Sequence, residues 1–180
     1  RAEHVFLGID DDGVAAVVRT KGNPTGHLIM RGGKTGPNYD SDSLALAQKM
    51  LSDRGLKPNL VVDCSHGNSN KDHTKQPIVF QNLLDQRRSN KGIVGVMIES
   101  NINPGSQSLG EPSELEYGVS ITDACIGWPE TEELVALAQR CISWLLPYST
   151  DLSIVELGVG SGVISIELAL MFPDLYFYSR

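Results

Sequence analysis

One imidazole, two carboxylates and a basic pair stand out along this chain, because each follows an apolar stretch at an interval of about 30 residues. Arg31 and Lys34 lie in Arg31-Gly32-Gly33-Lys34 after Leu28-Ile29-Met30, and His66 follows Leu60-Val61-Val62-Asp63-Cys64. Glu99 follows Ile93 to Ile98, and Asp123 lies beyond a long polar loop. One imidazole and two carboxylates suit Mn²⁺, Fe²⁺, Co²⁺ or Zn²⁺. An arginine and a lysine beside them suit a carboxylate or phosphate, the arginine by bidentate pairing. A single His or Glu after a strand is ordinarily a loop residue satisfied by backbone or water. Three of them with Arg-Gly-Gly-Lys on one rim weigh toward a site. His4, His27 and His73 have no such company and are read as structural or exposed. Cys64 and Cys141 read as core, and Cys125, two residues after Asp123, falls near the candidate ligands.

Convergence requires elements that place strand ends together. His4–Ile9 and the apolar stretch Val14–Val18, joined through Asp12-Gly13, read as a hairpin. Strands are expected at 28–30, 60–64 and 93–98, the latter two as buried parallel strands. Helices are expected at about 41–54, capped by Asp40 or Ser41 and ended by Gly55, at 77–88, and at 131–146. Asn101 to about Ser120 is Gly/Pro/Ser-rich and reads as a long functional loop. Such alternation argues an α/β fold with a parallel sheet, whose functional face lies at the carboxyl ends of the strands. After Pro147-Tyr148 the pattern restarts: a strand at 153–157, a glycine turn at 158–162, a helix at about 163–171, and a strand at 175–178. The expected division is 1–147 and 148–180.

Composition narrows the function. The 180 residues are 41% hydrophobic and 21% charged, which excludes a disordered or fibrous chain. A net charge of −7 has the wrong sign for general nucleic-acid binding. No apolar run approaches the roughly 20 residues of a membrane helix. Three cysteines follow no zinc-finger spacing, and the expected compartment is the cytoplasm.

Four segments, IMRGGK (29–34), DCSHGNSNKD (63–72), GVMIESNIN (95–103) and YGVSITDACIGW (117–128), together resemble class I 3-deoxy-D-arabino-heptulosonate 7-phosphate (DAHP) synthases. The resemblance runs over about residues 3–146. It implies a (β/α)₈ barrel that condenses phosphoenolpyruvate with erythrose 4-phosphate, releasing phosphate, with a divalent metal. By resemblance His66, Glu99 and Asp123 match metal ligands, Arg31 matches an arginine that binds phosphoenolpyruvate, and His66 also lies beside that substrate. Lys34 joins Arg31 as an expected substrate contact, and His66 and Arg31 are the expected catalytic pair. The match begins near the family's fifth barrel strand, so the expected architecture is a carboxyl-terminal half barrel. A fourth metal ligand and the segment gripping erythrose 4-phosphate have no counterpart here, so the chain by itself is expected to be inactive or impaired. A homo-oligomer or a complementing amino-terminal half is the expected remedy. The hairpin resembles the family's regulatory hairpin, and Gly8 stands where tyrosine-inhibited members carry glycine.

The tail resembles a different family. Glu156-Leu157-Gly158-Val159-Gly160-Ser161-Gly162 after a strand is similar to motif I of S-adenosylmethionine-dependent methyltransferases, most of all release-factor glutamine methyltransferases. The resemblance implies one Rossmann-like βαβ unit with Glu156, Gly158, Gly160 and Gly162 facing the cofactor. A plain tight turn is the alternative. The tail strands are expected to extend the open sheet of the first segment. The rival functions are a non-catalytic metal- or phosphate-binding fragment and a truncated methyltransferase, the latter alone calling for S-adenosylmethionine.

Overall fold

The computed structural model describes residues 2–23, 26–145, 154–155 and 177–178, with side chains through Arg140. Strands β1 (Val5–Ile9) and β2 (Ala15–Arg19) form the expected antiparallel hairpin, in register Val5↔Arg19 to Ile9↔Ala15. Asp10 makes its turn: the carboxylate Oδ1 accepts from the Asp12 and Val14 backbone N–H groups at 3.1 and 2.9 Å.

A parallel sheet follows in the order β3 (Leu28–Met30), β4 (Leu60–Asp63), β5 (Ile93–Met97). Met30 pairs with Val62, and Val62 in turn with Val96, so the three carboxyl ends emerge at one level. A parallel pair continues the sheet beyond β5, between Ser100 and Ile126. There the Ile126 N–H donates to the Glu99 carbonyl at 2.9 Å, which brings the segment around Asp123 to the same rim. Residues of β4 are all buried, as an inner parallel strand requires. Strand β5 differs from expectation: only Ile93 is buried, and Val94 is exposed.

Helices α1 (Ser41–Ser52), α2 (Gln76–Arg87) and α3 (Trp128–Leu145) complete the unit. Asp40 is the α1 cap, accepting from Ser43 N–H at 2.9 Å and Ser43 Oγ–H at 2.6 Å. Helix α3 starts three residues before the expected Thr131. Pro129 is tolerated in a first turn, and the Gly127 carbonyl accepts from the Thr131 N–H at 3.0 Å. The core joins Met30, Leu60, Val62, Cys64 and Ile93 of the sheet to Leu44, Val79, Phe80, Leu83 and Leu134 of the helices.

The stretch 101–120 is ordered by its own side chains. Gln107 Nε2 donates to the carbonyls of Glu116 and Val119 at 2.8 and 3.0 Å, while its Oε1 accepts from the Glu116 N–H at 2.9 Å. Strands β6 (Ile154–Val155) and β7 (Phe177–Tyr178) pair in parallel with each other, in a sheet of their own. The expectation that they extend β3–β4–β5 is therefore corrected. A strand satisfies its backbone groups with whichever neighbour is in register, and composition does not say which. The expected glycine turn and helix, with Glu156, Gly158, Gly160 and Gly162, lie outside the described residues. Among the described residues no helix is long and apolar enough to cross a membrane.

Candidate metal and anion site

Two loops build the site by touching backbone to backbone. Gly32, at φ +80°, follows β3, and Gly67 lies in the loop after β4. A Cβ on Gly32 would stand 2.6 Å from the Gly67 backbone, and one on Gly67 would stand 2.9 Å from the Arg31 carbonyl. Only glycine permits this approach. The Gly67 N–H donates to the Arg31 carbonyl at 3.1 Å, so the contact is also bonded. Buried Asn68 ties the same two strand ends, donating to the carbonyls of Met30 and Asp63 at 3.1 and 2.8 Å.

On this platform His66 adopts φ +49°, a left-handed conformation that histidine tolerates better than most residues. One ligand atom from each of His66, Glu99 and Asp123 fits within 4.8 Å. His66 Nε2 lies 3.5 Å from Glu99 Oε1 and 3.6 Å from Asp123 Oδ2. Glu99 is aimed by its neighbours. Ser65 Oγ–H donates to Glu99 Oε2 at 2.6 Å, and the buried Gln76 amide brackets the Glu99 backbone, donating to its carbonyl at 3.1 Å and accepting from its N–H at 2.8 Å.

Arg31 joins the cluster. Its Nη2 lies 2.6 Å from His66 Nε2, and its Nε–H donates to Asp63 Oδ2 at 3.0 Å. The arginine side chain remains half exposed, so its guanidinium is open to an anion. Lys34 is exposed on a tight turn closed between Gly33 and Gly36, and no hydrogen bond or ion pair ties it to the cluster. Cys125 is buried, its Sγ 3.5 Å from the Asp123 carbonyl. Burial raises its thiol pKa, and the nearby Glu99 and Asp123 charges add to the rise, so the thiol holds its proton at neutral pH.

The donor set fits a divalent ion of the Mn, Fe, Co or Zn kind: one imidazole nitrogen and two carboxylates, whose ligand atoms lie within 4.8 Å of one another. Sequence reasoning missed Asp63, Ser65, Asn68 and Gln76. Their types were visible, but nothing short-range marks a polar residue whose partner lies 20 or more residues away.

Comparison with known proteins gives a consistent family. The model of the DAHP synthetase I family matches residues 1–136. The tyrosine-sensitive phospho-2-dehydro-3-deoxyheptonate aldolase of Escherichia coli K12 is 51% identical over 134 residues, covering 73% of this chain and 37% of that protein. The tyrosine-inhibited aldolase of Schizosaccharomyces pombe is 46% identical over 137 residues, covering 73% and 37%. The structure of phospho-2-dehydro-3-deoxyheptonate aldolase from Francisella tularensis SCHU S4 superimposes with a TM-score of 0.74 at 37% identity, covering 78% of this chain and 41% of that one. The chain thus spans about two fifths of the length of these relatives.

Proposed function

The chain belongs to the DAHP synthetase I family, and from that premise we propose that it is a portion of a 3-deoxy-7-phosphoheptulonate synthase, the transferase that begins the shikimate route to aromatic amino acids. The observation that carries the reading is the cluster of His66, Glu99 and Asp123 beside Arg31, with Arg31, His66 and Glu99 just beyond β3, β4 and β5 and Asp123 just before the pairing at Ile126. The substrates would be phosphoenolpyruvate and erythrose 4-phosphate. Arg31 would pair with an anionic group of phosphoenolpyruvate, and Lys34, on its open turn, would add a second positive charge. Held by His66 Nε2, Glu99 and Asp123, a divalent ion would supply Lewis acidity toward the aldehyde oxygen or a water. Ser65 and Gln76 would keep Glu99 oriented, and the loop contact at Gly32 and Gly67 would keep Arg31 beside His66.

The parallel sheet with its helices, continued by the Ser100–Ile126 pair, supports reading the unit as a half barrel. Among the described residues its β3 edge has no strand partner beyond β4, with Leu28 and Ile29 exposed, and would accept a complementing amino-terminal half or a second copy. Activity of this chain without such a partner would be low, because groups acting as a unit lose far more together than singly. The compartment in this reading is the cytoplasm, in keeping with the unpaired Cys64 and Cys125. Residues 148–180 we read as a methyltransferase-like motif I fragment. Parallel pairing of β6 with β7 is the pairing a βαβ unit has, which agrees with that reading.

Thermal unfolding tests both parts. Mn²⁺ with phosphoenolpyruvate should raise the midpoint, because a ligand that binds only the folded chain stabilises it by mass action. His66→Ala should abolish the rise. No rise with the wild-type chain would overturn the synthase-site reading. S-adenosylmethionine, added separately, should raise the midpoint only if the tail binds it.

A further inference from the structure

Ser65, two residues beyond β4, is buried, and its backbone is fully engaged. The N–H donates to Asp63 Oδ1 at 2.8 Å, and the carbonyl accepts from the Asn68 and Ser69 N–H groups at 3.1 and 3.3 Å. The hydroxyl is therefore delivered from a fixed point. It donates to Glu99 Oε2 at 2.6 Å. The other carboxylate oxygen, Oε1, stands 3.5 Å from His66 Nε2 and so faces the ligand cluster.

Glu99 has little other freedom. The buried Gln76 amide donates to its carbonyl at 3.1 Å and accepts from its N–H at 2.8 Å. The Ile126 N–H donates to the same carbonyl at 2.9 Å. With the backbone clamped by α2 and by the segment at Ile126, what remains is rotation of the side chain, and the terminal torsion of a glutamate is broad. One charge-assisted bond from Ser65 selects within that range. It turns Oε1 to the cluster and engages Oε2 elsewhere.

The two oxygens matter because divalent ions differ in how many they need. Ca²⁺ takes about six to eight oxygen ligands and often uses both oxygens of a carboxylate. Mn²⁺, Fe²⁺, Co²⁺ and Zn²⁺ are smaller, complete a shell of about four to six donors, and accept imidazole as well as carboxylate. We propose that Ser65 is a positioning residue that presents Glu99 as a one-oxygen ligand, so that the site prefers ions of the Mn to Zn kind over Ca²⁺. The inference rests on the metal-site reading above and adds the group that sets its selectivity. Ser65→Ala is the informative change, because it deletes the hydroxyl and leaves all three backbone bonds of residue 65 in place. Glu99 is then free to turn both oxygens to an ion. That serves Ca²⁺ and loosens the single oxygen offered to the smaller ions.

The test compares two ions on the full chain, prepared free of metal. Mn²⁺ binding is followed by loss of the free-ion electron paramagnetic resonance signal, and Ca²⁺ is then added until that signal returns. Ser65→Ala should bind Mn²⁺ about 10- to 100-fold more weakly, the usual effect of removing a group that orients a ligand. Its Ca²⁺ affinity should hold or rise, so the preference for Mn²⁺ over Ca²⁺ should fall at least about 10-fold. A merely structural part for Ser65 would weaken both ions alike, and an unchanged preference in the folded variant overturns the proposal. Should that variant not fold, the wild-type chain still decides: equal affinity for the two ions there also overturns it. A wild-type chain that binds Ca²⁺ but shows no Mn²⁺ binding does the same. If neither ion binds the wild-type chain, the metal-site reading itself fails and the selectivity falls with it.

Discussion

Gly32 and Gly67 show how much of the site depends on two missing side chains. Gly32 sits at φ +80°, and a methyl group there would run into the Gly67 backbone at 2.6 Å. The neighbouring Gly33 has nothing within 4 Å of its added Cβ. Gly32→Ala should therefore destabilise the chain by at least about 2 kcal/mol, from left-handed strain and overlap together. It should also weaken Mn²⁺ binding by pushing away the loop that carries His66 next to Gly67. Gly33→Ala should change stability by no more than about 1 kcal/mol. Denaturant titration of both variants makes the comparison, and equal losses would show that loop contact is not the cause. His66 itself sits at φ +49°, a conformation retained here because its carbonyl accepts from the Lys71 N–H at 2.8 Å and from Ser69 Oγ–H at 3.3 Å.

At the scale of elements, α1 illustrates a local signal that works locally. Asp40 accepts from the Ser43 hydroxyl and backbone, and those bonds, the hydroxyl first, hold its carboxyl below the ordinary value of 3.8. A lowered carboxyl pKa means stability that is complete above that ordinary value and lost as the pH falls through the lowered one. Asp40→Ala should cost about 1 kcal/mol at neutral pH, the usual worth of a cap. The difference between wild type and variant should shrink on acidification, as a series of denaturant titrations across acidic pH would reveal. A gap that widens in acid would contradict the capping account. The 101–120 stretch shows the opposite case. Its Gly/Pro/Ser composition reads as structureless, yet Gln107 closes it on Glu116 and Val119, a partnership of residues 9 and 12 positions apart.

The whole molecule divides into sheets of very different burial. Strand β4 is wholly buried and packs with α1, α2 and α3 into one core, whereas the β1–β2 hairpin leaves Leu7 77%, Ile9 74% and Val17 72% exposed. Backbone amides of β4 and of α2 around Val79–Leu83 should exchange with solvent slowest, and those of the hairpin much faster. Hydrogen-exchange mass spectrometry distinguishes the two regions. Hairpin amides as protected as those of β4 would mean that its apolar face is covered in solution, by a second copy or another surface.

The sequence by itself determined the strands, the helices and the residues that follow the strands, because apolar runs, caps and breakers act over a few positions. It thereby located Arg31, His66 and Glu99 beyond strand ends and Asp123 after the long loop, and four motifs in order pointed to the family. It also placed the hairpin turn at Asp12-Gly13 and the cap at Asp40 or Ser41, of which the structure takes Asp40. Tertiary structure alone decided what depends on partners far along the chain. Asp63 looked like the polar end of a buried run until Arg31 and His66 stood around it; Ser65 and Gln76 took on a role only once Glu99 lay beside them. The start of α3, the partial exposure of β5 and the pairing of β6 with β7 were likewise settled by neighbours. A buried polar group takes its meaning from the group that satisfies it, and here that group lies on another strand.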